Sequence, residues 1–280
     1  MRSSSNPQLS AISPRLTLDN YGIVHPDLAL LRALCSDYDK ESTFVSALDL
    51  SCLETLLRSR RGNPTYKKPS DSAGRDRENS FAKSFDFIQK ETGQSSRFKD
   101  FSSELVSKTN SRDPDTFAEV AGNVYHLDRV ELAALKNYTS HGYMVVNQAL
   151  RKGGSEATKV APYCRVLQEA LKKLPNYSGK VYRGASLPPE VRARYTVGAT
   201  IEDSAFTSTS VIPEIAQKFG LDDYFEIQSK SGRLVHGVSA SMSEAEILFP
   251  PGSRFKVKQI QEKKVDGVTQ RTYILEELSP

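Results

Sequence analysis

The sequence EAEILFPPG occupies residues 244–252. The apolar run that begins at Ile247 predicts a short buried strand, and the prolines and glycine predict the turn that ends it. In an extended chain, the side chains of Glu244 and Glu246 point to the same side. Like charges this close repel each other, so each carboxylate needs a donor partner. The segment predicts paired acids at the mouth of a buried strand, suited to acid–base or cation-stabilising chemistry; a solvated loop end is the alternative.

A second stretch, VYRG at residues 181–184, ends in an arginine followed by a glycine. The guanidinium of Arg183 offers a rigid fork of N–H donors that suits a diphosphate or a ribose oxygen. Gly184 has no side chain, so a ligand can approach the backbone closely there. These features predict a ligand-binding strand end, and a strand-end salt bridge of Arg183 is the alternative.

A third stretch, FTSTS at residues 206–210, is rich in residues that favour strands. Strand alternation places Phe206, Ser208 and Ser210 on one face, with the two threonines on the other. Two hydroxyls on one face can brace a neighbouring carboxylate. A polar strand with no role in chemistry is the alternative interpretation, because such strands are common.

Taken together and in this order, the three stretches resemble the Arg…Ser-Thr-Ser…Glu-x-Glu signature of the mono-ADP-ribosyltransferases that modify arginine. The resemblance covers roughly residues 115–280 and implies that NAD is the co-substrate. It implies that Arg183 binds NAD and that Ser208 orients Glu246. Glu246 would hydrogen-bond the nicotinamide ribose and stabilise the positive charge that forms as the glycosidic bond breaks. Glu244 would receive the target guanidinium and help it to lose a proton.

The resemblance thus assigns a catalytic set and a cofactor-binding set. The catalytic set is Arg183, Ser208, Glu244 and Glu246, and the cofactor-binding set is Arg183, Gly184, Ser208, Thr209, Ser210 and Phe219. Phe219 or Tyr224 is a candidate to stack on the ligand, although a core aromatic is the preferred interpretation for Phe219. The loop 239–243 and the loop after Ser210 are candidates for acceptor recognition. No metal is expected, because the four histidines are scattered without ligand spacing.

Helical patterns come first in the chain and strand patterns later, which predicts an α+β fold with a helical N-terminal region. The resemblance implies that the strands form a two-sheet, mostly antiparallel β core of ADP-ribosyltransferase type around an NAD cleft. We expect a flexible start at 1–20 that resembles an export signal, a helical region at 21–112 that includes a polar linker at 62–80, and the ADP-ribosyltransferase domain at 113–280. An ordinary flexible terminus is the alternative for the start. Helices are predicted at 81–109 (one or two), 116–124, 128–137, 139–152, 157–174 and 213–219. Strands are predicted near 180–184, 204–210, 223–229, 232–238, 245–249, 253–260 and 270–278, with turns at Ser231-Gly232 and Asp266-Gly267.

Composition narrows the class of protein. The formal net charge of +4, from 38 basic and 34 acidic residues, gives no argument for a nucleic-acid partner. Three cysteines argue against a disulfide framework and for a reducing compartment. No apolar run reaches the length of a signal peptide or a membrane span. These features favour a protein that works in a cytosol. The resemblance implies an enzyme that a bacterium delivers into a host cell without a classical signal peptide, and that acts in the host cytoplasm on a protein bearing a reactive arginine. We expect it to be a monomer.

Two other functions remain open at this point. A catalytically silent binding module of the same fold would have no need for Arg183, Ser208 and Glu246 together, so the intact set counts against it. An NAD glycohydrolase without a protein acceptor would have no need for Glu244, because water requires no acid to orient a guanidinium.

Overall fold

The structure is a computed structural model, and it describes residues 72–101, 125–220, 222–240, 244–265 and 268–279. The predictions for 1–20, for most of the helical N-terminal region, for helix 116–124 and for the Asp266-Gly267 turn lie outside these residues. Within the described residues, no helix is both long enough and apolar enough to cross a bilayer.

Among the residues that the structure describes, four helices with both ends defined lie in one layer of the fold: α1 Ser72–Glu91, α2 Arg129–Asn137, α3 Tyr143–Lys152 and α4 Gly154–Lys173. A π-helical turn, Tyr138–Gly142, joins α2 to α3. The predicted helices at 128–137, 139–152 and 157–174 are confirmed. Asp128 caps α2, since its side chain accepts from two backbone N–H groups and Glu131 bonds back to the N–H of Asp128. Such a capping box fixes where the helix begins.

Helix α1 begins inside the stretch that the sequence predicts to be a linker, so the linker prediction for 62–80 is wrong from Ser72 onward. Its apolar residues explain the difference, because Phe81, Phe85 and Ile88 follow one helix face and are all 0% exposed. The ring of Phe81 stacks on Tyr163 of α4 with centroids 5.4 Å apart. Helix α1 is thus part of the core around α4, and the domain boundary at 113 stays a prediction.

In the described part of the chain, seven strands follow these helices: β1 Asn176–Ala185, β2 Thr200–Glu202, β3 Thr207–Ser210, β4 Asp223–Leu234, β5 Glu246–Phe249, β6 Arg254–Val265 and β7 Val268–Glu277. Two short helices, α5 Pro189–Arg192 and α6 Pro213–Gln217, lie between them. Strand β1 pairs with both β3 and β4, and β5 lies between β3 and β4, so these four strands close a small ring. Strand β4 also pairs with β7, which continues through β6 to β2. Every pairing is antiparallel apart from β4 with β7.

The predicted turn at Ser231-Gly232 is wrong, because β4 runs through it as one strand. A Cβ atom at Gly232 would lie 2.5 Å from Cγ2 of Ile247, so glycine is there to let β5 pack closely. The strand bulges nearby, and the buried carboxylate of Glu277 accepts the backbone N–H groups of Lys230 and Ser231. The predicted strand 232–238 likewise ends early, in a 3₁₀ turn at His236–Val238.

The helix layer and the strand ring share one core. Phe206, Val235, Val238 and Leu248 of the strand region pack into the same cluster as the helices. The ring of Phe206 lies 5.2 Å from that of Tyr138, which is the first residue of the π turn. This contact places the π turn opposite the strands that carry the predicted site residues.

Candidate active site

A cleft of about 740 Å³ lies between the π turn and α3 on one side and β1, β3, β5 and α6 on the other. The predicted catalytic residues Arg183, Ser208, Glu244 and Glu246 all line it. The remaining predicted site residues line it as well: Gly184, Thr209, Ser210 and Phe219. Residues from four separate segments of the chain therefore meet in one cavity, and the roles assigned to them stay predictions.

Glu246 begins β5 and is only 4% exposed. The hydroxyl of Ser208 donates to its carboxylate at 2.5 Å, across the pairing of β3 with β5. Burial raises the pKa of Glu246 to about 7, and the nearby charge of Glu244 adds to that rise, while the Ser208 hydrogen bond and Arg183 oppose it. The carboxylate therefore changes its charge near neutral pH.

Arg183 is half-buried on β1, and its Nη1 donates to the backbone oxygen of Ser208 at 2.7 Å. Burial lowers its pKa, an effect that the charge of Asp203 opposes. An arginine remains protonated even so. Arg183 forms no ion pair with any other described residue, so the alternative of a strand-end salt bridge does not hold among them. One N–H is used to hold the side chain, and the others are free to bind a ligand.

The three residues after Thr207 use their hydroxyls in different ways. Only Ser208 braces a carboxylate, so the prediction that two hydroxyls would do so is half right. Ser210 donates to the backbone oxygen of Glu244 at 2.7 Å, and Thr209 donates to that of Ile247 at 2.7 Å. Ser208 thus sets the side chain of Glu246, while Ser210 sets the backbone at Glu244.

The chain between the two glutamates is not extended, which corrects the prediction for this segment. Ala245 has φ 44°, in the left-handed region that residues with a side chain seldom adopt. That conformation costs on the order of 1 kcal/mol. The backbone oxygens of Glu244 and Ala245 accept from Ser210 and Val211, which holds the strained turn in place. Glu244 and Glu246 both line the cleft, although they do so by this turn instead of by strand alternation.

Gly184 and Phe219 differ from what their residue types predict. A Cβ atom at Gly184 would lie 2.2 Å from the backbone oxygen of Ala216, so the close approach at Gly184 is made by α6. Phe219 is 58% exposed, and the interpretation of Phe219 as a core aromatic is wrong. Tyr224 is 8% exposed and stacks on Tyr182 with centroids 6.1 Å apart. Phe219 therefore borders the cleft, whereas Tyr224 packs outside the cleft lining.

None of the cleft-lining residues of the helical wall was predicted as a site residue, and Tyr138, Asn147 and Arg151 are among them. Asn147 donates to the hydroxyl of Tyr138 at 3.0 Å and accepts the backbone N–H of Phe206 at 3.2 Å. Arg151 pairs with Asp203 at 3.0 Å. A signal exists in the sequence, because Asn147 and Arg151 are four residues apart and so share one helix face.

No group of three or more His, Cys, Asp or Glu side chains able to hold a metal ion occurs in the part of the chain that the structure describes. The expectation that the site uses no metal stays a prediction.

The family model for NAD:arginine ADP-ribosyltransferases matches residues 119–270, more than half of the chain. The chain belongs to this family. Mav of Mycobacterium avium, named as an NAD–arginine ADP-ribosyltransferase, is 43% identical over 174 residues, covering 59% of this chain and 20% of Mav. Tre1 of Serratia proteamaculans, named as an NAD–protein-arginine ADP-ribosyltransferase, is 31% identical over 144 residues, covering 51% of this chain and 31% of Tre1. The chain spans less than a third of the length of these two relatives.

Solved structures share the fold. The ADP-ribosyltransferase HopU1 of Pseudomonas syringae aligns with a TM-score of 0.58 at 20% identity, over 76% of this chain and 100% of HopU1. Exoenzyme S of Pseudomonas aeruginosa, in a complex bound to carba-NAD, aligns with a TM-score of 0.50 at 25% identity, over 64% of this chain and 88% of its own. The predicted α+β fold class is confirmed.

Proposed function

We propose that this chain transfers ADP-ribose from NAD to the guanidinium of an arginine in another protein, with release of nicotinamide. The observation that carries the proposal is the Ser208–Glu246 hydrogen bond, in a cleft that also holds Arg183 and Glu244. Family membership supports the reaction, and the name of Tre1 supports a protein arginine as the acceptor.

The cleft suits a dinucleotide in size and charge. A volume of about 740 Å³ lies within the range of roughly 300–1,000 Å³ that is typical of ligand sites. Arg183 and Arg151 border it and can hold the diphosphate, since arginine binds phosphate oxygens through two N–H groups at once. Exoenzyme S, which shares the fold, binds an NAD analogue.

We assign Glu246 to the first step of the proposed reaction. The bond between the nicotinamide nitrogen and the ribose carbon breaks, and its electron pair leaves with nicotinamide. Positive charge then develops on the ribose, as in glycoside cleavage, and an ionised carboxylate lowers the energy of that state. The Ser208 hydroxyl keeps the Glu246 carboxylate in one orientation.

We assign Glu244 to the acceptor arginine. An arginine is normally protonated, so its nitrogen must lose a proton to attack the ribose carbon. Glu244 is less buried than Glu246 and lines the same cleft, so an arginine from another protein can reach it. Its carboxylate would orient the guanidinium and take the proton as the new carbon–nitrogen bond forms. Hydrolysis of NAD by water has no need of this group.

The wider setting belongs to the same proposal. We infer that the acceptor is a host protein, that a bacterium delivers the enzyme into the host cytoplasm, and that the enzyme acts as a monomer. Mass spectrometry of host proteins after exposure to active enzyme and NAD would identify the modified arginine. If no host protein gains the mass of ADP-ribose, the host acceptor is excluded.

The proposal is tested by incubating the purified chain with labelled NAD and an arginine-rich acceptor. We expect labelled acceptor together with free nicotinamide. Release of nicotinamide without labelled acceptor would favour the NAD glycohydrolase, and a lack of both products would remove the enzymatic proposal. Failure to bind NAD in calorimetry as well would favour a silent binding module.

Replacement of Glu244 by glutamine should separate transfer from hydrolysis. Glutamine keeps the size of the side chain but cannot take a proton from the acceptor, so we expect transfer to agmatine to fall by about 100-fold, typical of the loss of a general base. NAD hydrolysis should change by less than about threefold. Agmatine is a small molecule that carries a guanidinium group. Rates of nicotinamide release with and without agmatine therefore measure transfer and hydrolysis. An equal loss of the two activities would contradict the role of Glu244.

The pH dependence of NAD hydrolysis should report the charge of Glu246. Because its pKa is about 7, kcat/KM should fall about tenfold per pH unit below that value as the carboxylate gains a proton. Glu244→Gln removes a neighbouring negative charge and should move the midpoint to lower pH. Ser208→Ala removes a stabilising hydrogen bond and should move it to higher pH. A flat profile between pH 5 and 8 would contradict this assignment.

A further inference from the structure

Asp203 follows β2 directly and forms an ion pair with an arginine that borders the cleft. Nη2 of Arg151 lies 3.0 Å from Oδ2 of Asp203, and Nε of Arg151 lies 3.4 Å from Oδ1. Two donors of the guanidinium thus face the two oxygens of one carboxylate, which fixes the plane of the arginine as well as its position. Among the described residues, Asp203 is the only ion-pair partner of Arg151.

The carboxylate of Asp203 is itself held by the chain that leads into β3. Its Oδ1 accepts the backbone N–H of Ala205 at 3.0 Å, and its Oδ2 accepts the hydroxyl of Thr207 at 3.3 Å. The backbone oxygen of Asp203 accepts the N–H of Gly252 at 2.8 Å. The strand region therefore fixes the position of this carboxylate, and the ion pair extends that fixed position to Arg151 on the helical wall.

Arg151 needs such a partner to bind a ligand well. Its side chain is 47% exposed, and a long exposed side chain loses rotamer freedom when a ligand orders it. Asp203 uses two of the five N–H groups of the guanidinium, so three remain for a ligand. Burial lowers the pKa of Arg183, which lines the same cleft, and the negative charge of Asp203 opposes that effect.

We propose that Asp203 is a positioning residue for NAD: its carboxylate holds the guanidinium of Arg151 at the edge of the cleft, ready to bind the diphosphate. This inference rests on the proposed function and adds to it a residue that does not line the cleft. Asp203 also repels the diphosphate, but this repulsion acts through solvent and over a longer distance than the ion pair. We therefore expect the gain from a fixed arginine to be larger.

The variants separate the ion pair from the rest of the corner. Asp203→Asn removes the charge that holds Arg151, and asparagine can still accept the N–H of Ala205, as it does in many turns. Asp203→Ser is a second uncharged variant that can accept the same N–H. Thr207→Val is the control, because it removes the other side-chain bond to Asp203 and leaves the ion pair, and valine suits a strand.

The KM for NAD in hydrolysis, without agmatine, gives the first readout. We expect Asp203→Asn and Asp203→Ser to raise it about fivefold while kcat changes less than about twofold, as the loss of a binding interaction would. Thr207→Val should leave both values within about twofold of the wild type. An unchanged KM in both Asp203 variants, an equal effect of Thr207→Val, or a loss confined to kcat would overturn the inference.

A double-mutant cycle tests whether Asp203 acts through Arg151. Arg151→Gln should raise the KM for NAD about tenfold, and Asp203→Asn should have no further effect once Arg151 is replaced, because the two residues share one interaction. Effects that multiply in the double variant would show that Asp203 acts by another route, which would overturn the inference.

Calorimetry with ADP-ribose, which keeps the diphosphate, repeats the cycle without turnover. We expect the Kd to rise about fivefold in Asp203→Asn and to stay unchanged in Thr207→Val. Equal affinity in Asp203→Asn and the wild type would overturn the inference and leave the proposed transfer intact. A wild type that binds ADP-ribose but never releases nicotinamide from NAD would remove the proposed transfer alone. A wild type that binds neither ADP-ribose nor NAD would overturn both.

Discussion

Replacement of Glu246 by glutamine is expected to lower both ADP-ribosyl transfer and NAD hydrolysis by about 10²–10³-fold or more, the scale on which the loss of one aligned electrostatic group acts. Glutamine fills the same space and can still accept the Ser208 hydrogen bond, but it carries no charge. Both reactions pass through the same cleavage of the nicotinamide–ribose bond. Nicotinamide release, measured with and without agmatine, should therefore fall equally in both assays.

The same substitution should stabilise the folded protein at alkaline pH. The pKa of Glu246 is raised from 4.5 to about 7, so the unfolded chain loses this proton first, and stability falls as pH rises from about 4.5 to 7. At 1.36 kcal/mol per pH unit, the full cost above pH 7 is about 3 kcal/mol as an upper bound. Glutamine avoids it. We expect Glu246→Gln to raise Tm by several degrees at pH 8 and by much less at pH 5.

Glu262→Gln is the matched control for both measurements. Glu262 lies on β6 with its side chain 56% exposed and pairs with Arg271 at the surface. Its neutralisation should alter neither nicotinamide release nor the pH dependence of Tm, since exposed pairs contribute little. Two results would contradict our account of Glu246: hydrolysis retained at a tenth of the wild-type rate, or an equal gain in Tm at pH 5 and pH 8.

The sequence was sufficient to predict that the site residues meet in one cleft. Arg183, Ser208 and Glu246 each belong to a short strand-like stretch, and the resemblance to a known signature implied that these stretches converge. In the structure they lie on β1, β3 and β5, and β3 pairs with both of the others. Adjacent antiparallel strands bring side chains of one face together. The sequence does not give the order of the strands in the sheet, so the prediction of a shared cleft depended on the resemblance.

The left-handed conformation of Ala245 could not be predicted from the sequence. Alanine gives no sign of a positive φ, and strand alternation predicted that both glutamates would project in the same way. The left-handed turn is held by hydrogen bonds from Ser210 and Val211, which are more than thirty residues earlier in the chain. A conformation that depends on partners so distant in sequence cannot be inferred from local pattern.

The predictions for Gly232 and Phe219 were wrong for a related reason. Gly232 follows a serine and predicts a turn, but it is required by the side chain of Ile247 packed against it. Phenylalanine is a residue type that usually lies in the core, but Phe219 borders the cleft and is exposed. At Gly232, the neighbour that decides the outcome comes from another element, and tertiary packing overrides the local preference.

Helix α1 should be indispensable to the catalytic fold, although it lies outside residues 119–270 that match the family model. Phe81→Ala would remove a fully buried ring that stacks on Tyr163 and packs edge-on against Phe98. We expect a loss of about 3–5 kcal/mol in the free energy of unfolding, which is a large part of the total stability of most domains. Chemical denaturation of the full chain measures it.

Phe87→Ala on the same helix is the control, since Phe87 is only half-buried and contacts Lys159 at the surface. It should cost less than half as much as Phe81→Ala, because the free-energy loss follows the buried area that is removed. A similar loss for both phenylalanines would mean that α1 contributes through its helix and not through its buried face.

Removal of α1 altogether should have a larger effect than either substitution. A chain shortened to the predicted transferase domain, 113–280, would expose Tyr163 of α4, which is 0% exposed in the structure and stacks on Phe81 of α1. It would also lose Gln89, which accepts the side-chain N–H of Asn137 at 2.9 Å just before the π turn. Because the π turn forms one wall of the cleft, we expect the shortened chain to show neither a cooperative unfolding transition nor NAD hydrolysis. A soluble 113–280 chain that unfolds cooperatively and hydrolyses NAD would confine the catalytic unit to the predicted boundary and refute this role for α1.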